Sequence, residues 1–282
     1  MLGREIVRQL QANSIPVLQA GRTKGSDIFI DLGSGKPPVF ATSHNADVLI
    51  HCAAALLGDD PAGIKGNYLV NTIGAVDTLD ISRQLNVSRI IYAGTVSSDP
   101  SIEPDQPLSS YGMSKREGEN ILDWGMRKAG GTFCSLRLTQ LWDTEGACIR
   151  HQPWFGRIIA YASRGLTLRM PSSAGPRNFL HVSDAARLLI KAGSSDLTGT
   201  HPITSPNDTD MHLFAQKAYE VFNQGGEILI DHSKKPFRKI CFSHDDLVFK
   251  ALGSKPEIES YSGPQLIRDT GTAERFGPLD VI

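Results

Sequence analysis

The chain has 282 residues, of which 40% are hydrophobic and 21% charged, enough for one large α/β domain, alone or with a smaller lobe. Its 29 Lys and Arg nearly balance 30 Asp and Glu, and a net charge of −1 argues against nucleic acid or a membrane surface as partner. Apolar stretches such as 47–57 fall well short of the ~20 residues of a membrane helix. Residues 1–7 lack the basic-then-apolar order of a signal peptide, and Cys52, Cys134, Cys148 and Cys241 form no metal- or disulfide-like pattern. The expectation is a cytoplasmic protein with reduced thiols, no metal, and a small molecule as ligand.

Apolar Leu2, Ile6, Val7 and Leu10 recur at helical spacing and predict a helix over 2–13, ended by Ser14 and Pro16. Short strands are expected at 15–19 and 27–32, then a loop over 33–45. The run 47–54 is apolar without alternation, as in parallel strands buried on both faces. A long helix over 68–85, a strand over 89–95, a helix over 111–128 and a strand over 133–142 follow. This alternation predicts βαβ units, hence an α/β fold with a doubly wound parallel sheet. Beyond Asp143 the rhythm loosens. Helices are expected near 154–164 and from Ser183, a strand at 167–170, an amphipathic helix at 208–222 and a weaker one at 245–252. Residues 1–143 are read as the main domain and 144–282 mainly as a smaller lobe, with 178–204 returning to the main sheet.

The sharpest feature is Ser110-Tyr111-Gly112-Met113-Ser114-Lys115 at the head of a helix. Tyr111 and Lys115 share one helical face. A lysine so placed stabilises a tyrosinate, bringing a phenol of ordinary pKa about 10 closer to working pH. Such a phenol can exchange a proton with a substrate oxygen. The strand Arg89-Ile-Ile-Tyr-Ala-Gly-Thr95 ends in a hydroxyl, followed by Ser97 and Ser98, where ligands bind in a doubly wound sheet. The alternative is that these hydroxyls only shape a turn.

Together with these, Asp47-Val-Leu-Ile-His51-Cys-Ala53-Ala54, Val70-Asn71-Thr-Ile-Gly74, Leu136-Arg137-Leu-Thr-Gln140-Leu-Trp142 and Arg177-Asn-Phe-Leu-His181-Val-Ser-Asp184 resemble, in order, the blocks of the extended short-chain dehydrogenases of the sugar-nucleotide epimerase and dehydratase type. The resemblance implies a Rossmann-like fold and an NAD(P)-dependent oxidoreductase or epimerase. It implies Tyr111 as acid/base, Thr95 as its hydroxyl partner, and Lys115 on the nicotinamide ribose. Asp31 and Leu32 would border the adenine, and Ala53, Ala54 and Asn71 the rest of the dinucleotide. Ser97, Gln140 and Arg177 would meet the substrate, Arg177 at a phosphate or else in an ordinary ion pair. His181 and Asp184 read as structural, with Ser183 or Asp184 an N-cap.

Departures from the pattern are as informative. Gly3 resembles the third glycine of the family's Gly-x-x-Gly-x-x-Gly turn, whose first two glycines and preceding strand have no counterpart here. Either the start lies upstream, or the chain is a decayed relative, or another segment fills the gap. Arg22 stands where NAD enzymes carry an acid, so NADP(H) is favoured over NAD(H). No carboxylate adjoins Thr95, which disfavours water elimination. Two rivals stay open: a non-catalytic dinucleotide-fold binding protein and a simple ketone reductase. A homodimer is also left open.

Overall fold

A computed structural model describes residues 1–41, 45–172, 175–236, 240–244 and 246–279. Helix α1 (Leu2–Ala12) comes first, then strands β1 (Ala20–Gly21), β2 (Ile28–Phe29), β3 (Val39–Phe40) and β4 (Val48–His51). Next are α2 (Pro61–Asn67), a π-helical turn (Tyr68–Ile73), α3 (Gly74–Gln84), β5 (Arg89–Thr95), α4 (Ser110–Lys128), β6 (Thr132–Leu138) and β7 (Gln140–Trp142). The chain continues through α5 (Pro153–Ser163), β8 (Leu168–Pro171), β9 (Phe179–His181), α6 (Val182–Gly193), β10 (Gly199–Ile203), α7 (Met211–Phe222), β11 (Ile228–Asp231), α8 (Leu247–Leu252) and α9 (Gly263–Thr270).

The α/β, Rossmann-like arrangement is present, built on a parallel sheet in the order β10-β6-β5-β4. Along β5 successive side chains point to opposite faces. Ile90 and Tyr92 pack with Ala75 of α3 and Leu122 and Met126 of α4. Ile91 and Ala93 pack on the other face with Ile6 of α1 and Ala185, Leu188 and Leu189 of α6. Helices therefore cover both faces, and every residue of β5 is buried. A further core of aromatic residues, Trp142, Phe155, Phe179 and Phe214 among them, gathers around α5, α7 and α9. Among the described residues no helix is long and apolar enough to cross a membrane.

Several sequence expectations need correction. The sheet is not continuous: β1, β2 and β3 form a separate three-stranded piece, and β4 ends the four-stranded one. Val48, Leu49 and Ile50 are accordingly only half-buried, although their apolar run reads as a central strand. Residues 15–19 form no strand, because pairing with the 27–30 segment begins only at Gln19, whose carbonyl accepts from Ile28 N–H at 3.1 Å. The loop expected over 33–45 contains β3, and its residues 42–44 lie outside the described set. The long helix over 68–85 opens with the π turn. The strand over 133–142 breaks at Thr139, whose N–H turns to Ile203 O at 3.1 Å. The 208–222 helix starts at Met211 because Asp210 caps it, and Asp245, the expected start of α8, is outside the described residues. Neither Ser183 nor Asp184 is the N-cap of α6. His181 is, its ring accepting from Ser183 N–H, while buried Asp184 accepts from the backbone N–H groups of Glu257 and Ile258 at 2.9 and 2.8 Å.

Candidate active site

Strand β5 delivers Thr95 to the carboxyl end of the parallel sheet, where its hydroxyl accepts from Ser97 N–H at 3.2 Å and caps a short turn. Helix α4 starts opposite that turn. Ser109 caps it by accepting from Gly112 N–H at 3.2 Å, and Asp59 accepts from Ser110 N–H at 2.8 Å. A carboxylate at a helix N-terminus also complements the helix dipole. Gly112 is required here, since a Cβ on it would lie 2.1 Å from Ser97 O. The close approach of the two backbones places Tyr111 beside the Thr95 turn.

Lys115 follows one turn along α4 and is almost wholly buried. Its Nζ donates to Ala93 O at 2.9 Å and lies 3.9 Å from the centre of the Tyr92 ring. The expected lowering of the tyrosine pKa is not realised in this arrangement. Burial pushes the Tyr111 phenol up to about 12, with the Thr95 hydrogen bond pulling the other way. Burial brings the Lys115 ammonium down to about 8, opposed by the charge of Glu119. At neutral pH the site therefore holds a protonated phenol, suited to donating to a developing alkoxide.

Glu119, one turn further on the same face, was not singled out from the sequence. Its carboxylate accepts from Arg137 Nη2 at 2.7 Å and from Ser135 Oγ at 2.6 Å. Gly94 of β5 leaves room for this pair, since a Cβ there would lie 2.6 Å from Glu119 Oε1. The ion pair ties α4 to β6 directly beneath Lys115.

The residues expected around a dinucleotide are spread along the same edge. Ala53 and Ala54 are exposed beyond the end of β4. Gly3 lies in the first turn of α1. Asn71 is buried and clamps the backbone of Ala55, accepting from its N–H and donating to its O, both at 2.9 Å. Arg22 follows β1 with its side chain largely exposed, 3.6 Å from Asp31. Leu32 packs on Gly74 of α3.

Gln140 and Arg177 line one cleft with His151, Gln152, Trp154 and Phe155. Gln140 Nε2 donates to Gln152 Oε1 at 2.8 Å, and the Gln140 side-chain oxygen is buried with no hydrogen-bond partner among the described residues. Arg177 Nη1 donates to Pro176 O at 2.9 Å. Thr95 and Tyr111 are not in the wall of this cleft. Ser97 sits at the Thr95 turn. His151 and Gln152 were missed, because a polar pair ahead of Pro153 carries no recognisable spacing.

His51 at the end of β4 was quoted only as part of a block. Its ring stacks on Tyr92 at 5.3 Å and 6°, and its Nδ1 meets Thr78 Oγ1 at 3.2 Å. Burial first, then the Lys115 charge, lowers its pKa from 6.5 to about 3. The folded chain thus refuses a proton that the unfolded chain accepts below about 6.5. Stability is expected to fall as pH drops from about 6.5 toward 3, at up to about 1.4 kcal/mol per pH unit from this group. Denaturant midpoints at pH 7 and 4.5 should therefore converge in His51→Asn relative to the unaltered chain. An unchanged pH difference would rule this out.

The parallel sheet, the hydroxyl at its carboxyl edge and the tyrosine on the next helix define an α/β protein of the short-chain dehydrogenase kind. Residues 1–204 match the NAD dependent epimerase/dehydratase family, and the chain belongs to that family. A putative UDP-glucose 4-epimerase of Methanocaldococcus jannaschii is 26% identical over 215 residues, covering 69% of this chain and 66% of that protein. Among solved structures, a UDP-N-acetylglucosamine 4-epimerase from Bacillus cereus aligns with a TM-score of 0.78 at 21% identity, covering 96% of this chain and 95% of the other. The UDP-glucose 4-epimerase of Thermus thermophilus in complex with NAD aligns with a TM-score of 0.69 at 17% identity, covering 97% and 96%. At these identities the structural likeness speaks for the fold.

Proposed function

We propose that this protein is an NAD(P)-dependent epimerase or reductase acting at a carbinol or carbonyl carbon of a nucleotide sugar. The observation that carries the reading is the seating of the Tyr111 helix, through Gly112, directly on the Thr95 turn at the carboxyl edge of the sheet, with Lys115 one turn away. Nucleotide-sugar epimerases among its relatives support the substrate class. The residues present fit a dinucleotide. Small, exposed Ala53 and Ala54 leave open the strand edge, and Arg22 offers a charge beyond β1. Bound there, a nicotinamide would supply the site that accepts and returns the hydride.

The side chains then have separable tasks. Tyr111 holds the proton that passes to or from the substrate oxygen, and Thr95 fixes that oxygen by a second hydrogen bond. Lys115 would hold the nicotinamide ribose, and its cation is what can draw the phenol below the value that burial imposes. Asn71 keeps the 53–55 backbone in place. Gln140, with Arg177 across the cleft, would receive the nucleotide end of the substrate, a guanidinium being matched to phosphate. The protein is read as cytoplasmic, with a homodimer left open. The direct test is conversion of UDP-hexoses by the chain with either dinucleotide, followed by NMR of the sugar. No conversion with either would refute the reading.

NADP(H) is favoured over NAD(H) because Arg22 takes the place of an acid after β1. Asp31, 3.6 Å away, is a weak surface partner that a phosphate can displace. A charge-assisted bond contributes about 1.5–3 kcal/mol, so Arg22→Ala should weaken NADPH binding roughly tenfold or more. NADH binding should barely change. Calorimetric titration of both cofactors checks this, and equal losses for the two would decide against it.

A further inference from the structure

Two asparagines, not one, tie the loop after β4 to the catalytic helix. Asn71 exchanges two hydrogen bonds with the backbone of Ala55 and donates to Ser114 Oγ at 3.0 Å. Asn67 repeats the pattern one turn earlier. Its Oδ1 accepts from Leu57 N–H at 3.0 Å, its Nδ2 donates to Leu57 O at 3.2 Å, and the same Nδ2 donates to Ser110 Oγ at 2.9 Å. Each asparagine lies 43 residues before its serine. The two serines therefore bracket Tyr111, one beside it and the other on the next turn of α4. Both amides are fully enclosed, at 0% and 1% exposure.

We propose that Asn67 is a positioning residue that sets where the loop stands over Tyr111, an inference that rests on the function proposed above. Residues 52–58 have no regular secondary structure, and Leu56 and Leu57 are 43% and 50% exposed. Such a segment has no ladder to hold its backbone, so its order comes from the two side-chain clamps. Neighbouring contacts are built for close approach. A Cβ on Gly66 would lie 2.5 Å from Leu57 Cδ1, and one on Gly63 would lie 2.2 Å from Gly58 O. Asp59, on the same loop, accepts from Ser110 N–H. The outer rung thus joins Leu57 to the residue immediately before the catalytic tyrosine. The π turn begins directly after Asn67 and includes Asn71, a geometry found often at functional sites. Losing the outer rung frees the loop by about an ångström, and misplacement on that scale costs up to about a hundredfold in rate.

The test joins amide exchange with turnover on the full chain. In the unaltered protein Ala55 and Leu57 N–H should exchange slowly for loop amides. In Asn67→Ala, Leu57 should lose protection while Ala55 keeps it. Turnover of a UDP-hexose should fall roughly ten- to a hundredfold, with dinucleotide affinity unchanged. If that variant does not fold, Ser110→Ala cuts only the contact with the helix, and turnover should fall while Leu57 stays protected. Unchanged Leu57 exchange in Asn67→Ala overturns the proposal, as does full turnover in either variant. If Tyr111→Phe also turns over normally, the function proposed above is what has failed, whereas a dead Tyr111→Phe beside a fully active Asn67→Ala rejects the positioning role alone.

Discussion

Tyr111→Phe is expected to lower turnover by about 10²–10⁴, the range for loss of general acid/base catalysis, and to leave dinucleotide affinity unchanged. Phenylalanine keeps the ring in place and deletes only the phenol hydroxyl. Thr95 retains its bond from Ser97 N–H, so the turn stays formed. The proton-holding group alone is removed. Because burial places the phenol at about 12, it is the acid form that dominates at neutral pH, and the direction that protonates a substrate oxygen should suffer directly. Single-turnover kinetics with saturating cofactor measure the effect apart from product release. Turnover indistinguishable from that of the unaltered chain would remove Tyr111 from the chemistry.

The second large effect concerns stability. Arg137→Met is expected to cost about 3–5 kcal/mol, because it leaves the Glu119 carboxylate buried without its cation. Glu119 is only 3% exposed, and Ser135 would be the remaining strong donor to it. Asp99, 3.8 Å from Arg137, is half-exposed and can relax into water. The double variant Glu119→Leu/Arg137→Met should regain part of the loss, since the buried carboxylate leaves with its guanidinium, although Lys115 then loses the neighbouring charge of Glu119. Urea unfolding of the single and double variants decides the matter. If the double variant is no more stable than Arg137→Met, the stranded charge is not the cause.

The sequence displays best what repeats locally. Strand β5 is an unbroken apolar run ending in a hydroxyl, and Tyr111 and Lys115 share one helical face, so both were legible. Asn71 was visible as part of a block. Asn67 was not, because its significance depends on Ser110 being opposite, and helix spacing within one element says nothing of distance across two. Glu119 and Arg137 likewise meet only when α4 packs on β6. The pKa expectation for Tyr111 failed for a related reason. Sequence places Lys115 near the phenol, but the bond its Nζ makes to Ala93 O and the degree of burial are tertiary facts. The split of the sheet was not legible, because the apolar run of β4 reads as a central strand and the place of the edge comes from the pairing itself.

The contact between Gly112 and Ser97 carries a consequence for how this protein could change over time. There the main chain of the catalytic helix rests directly on the main chain of the Thr95 turn. Side chains of the sheet core, such as Leu122 and Phe133, lie elsewhere along α4 and β6. The spacing of the two hydroxyls is therefore gauged by backbone van der Waals radii, and repacking the core leaves that gauge intact. Substitutions can accumulate among the apolar residues, altering melting temperature, while the proton-transfer pair keeps its separation. A single methyl group at residue 112 does the reverse, leaving the core untouched and wedging the pair apart.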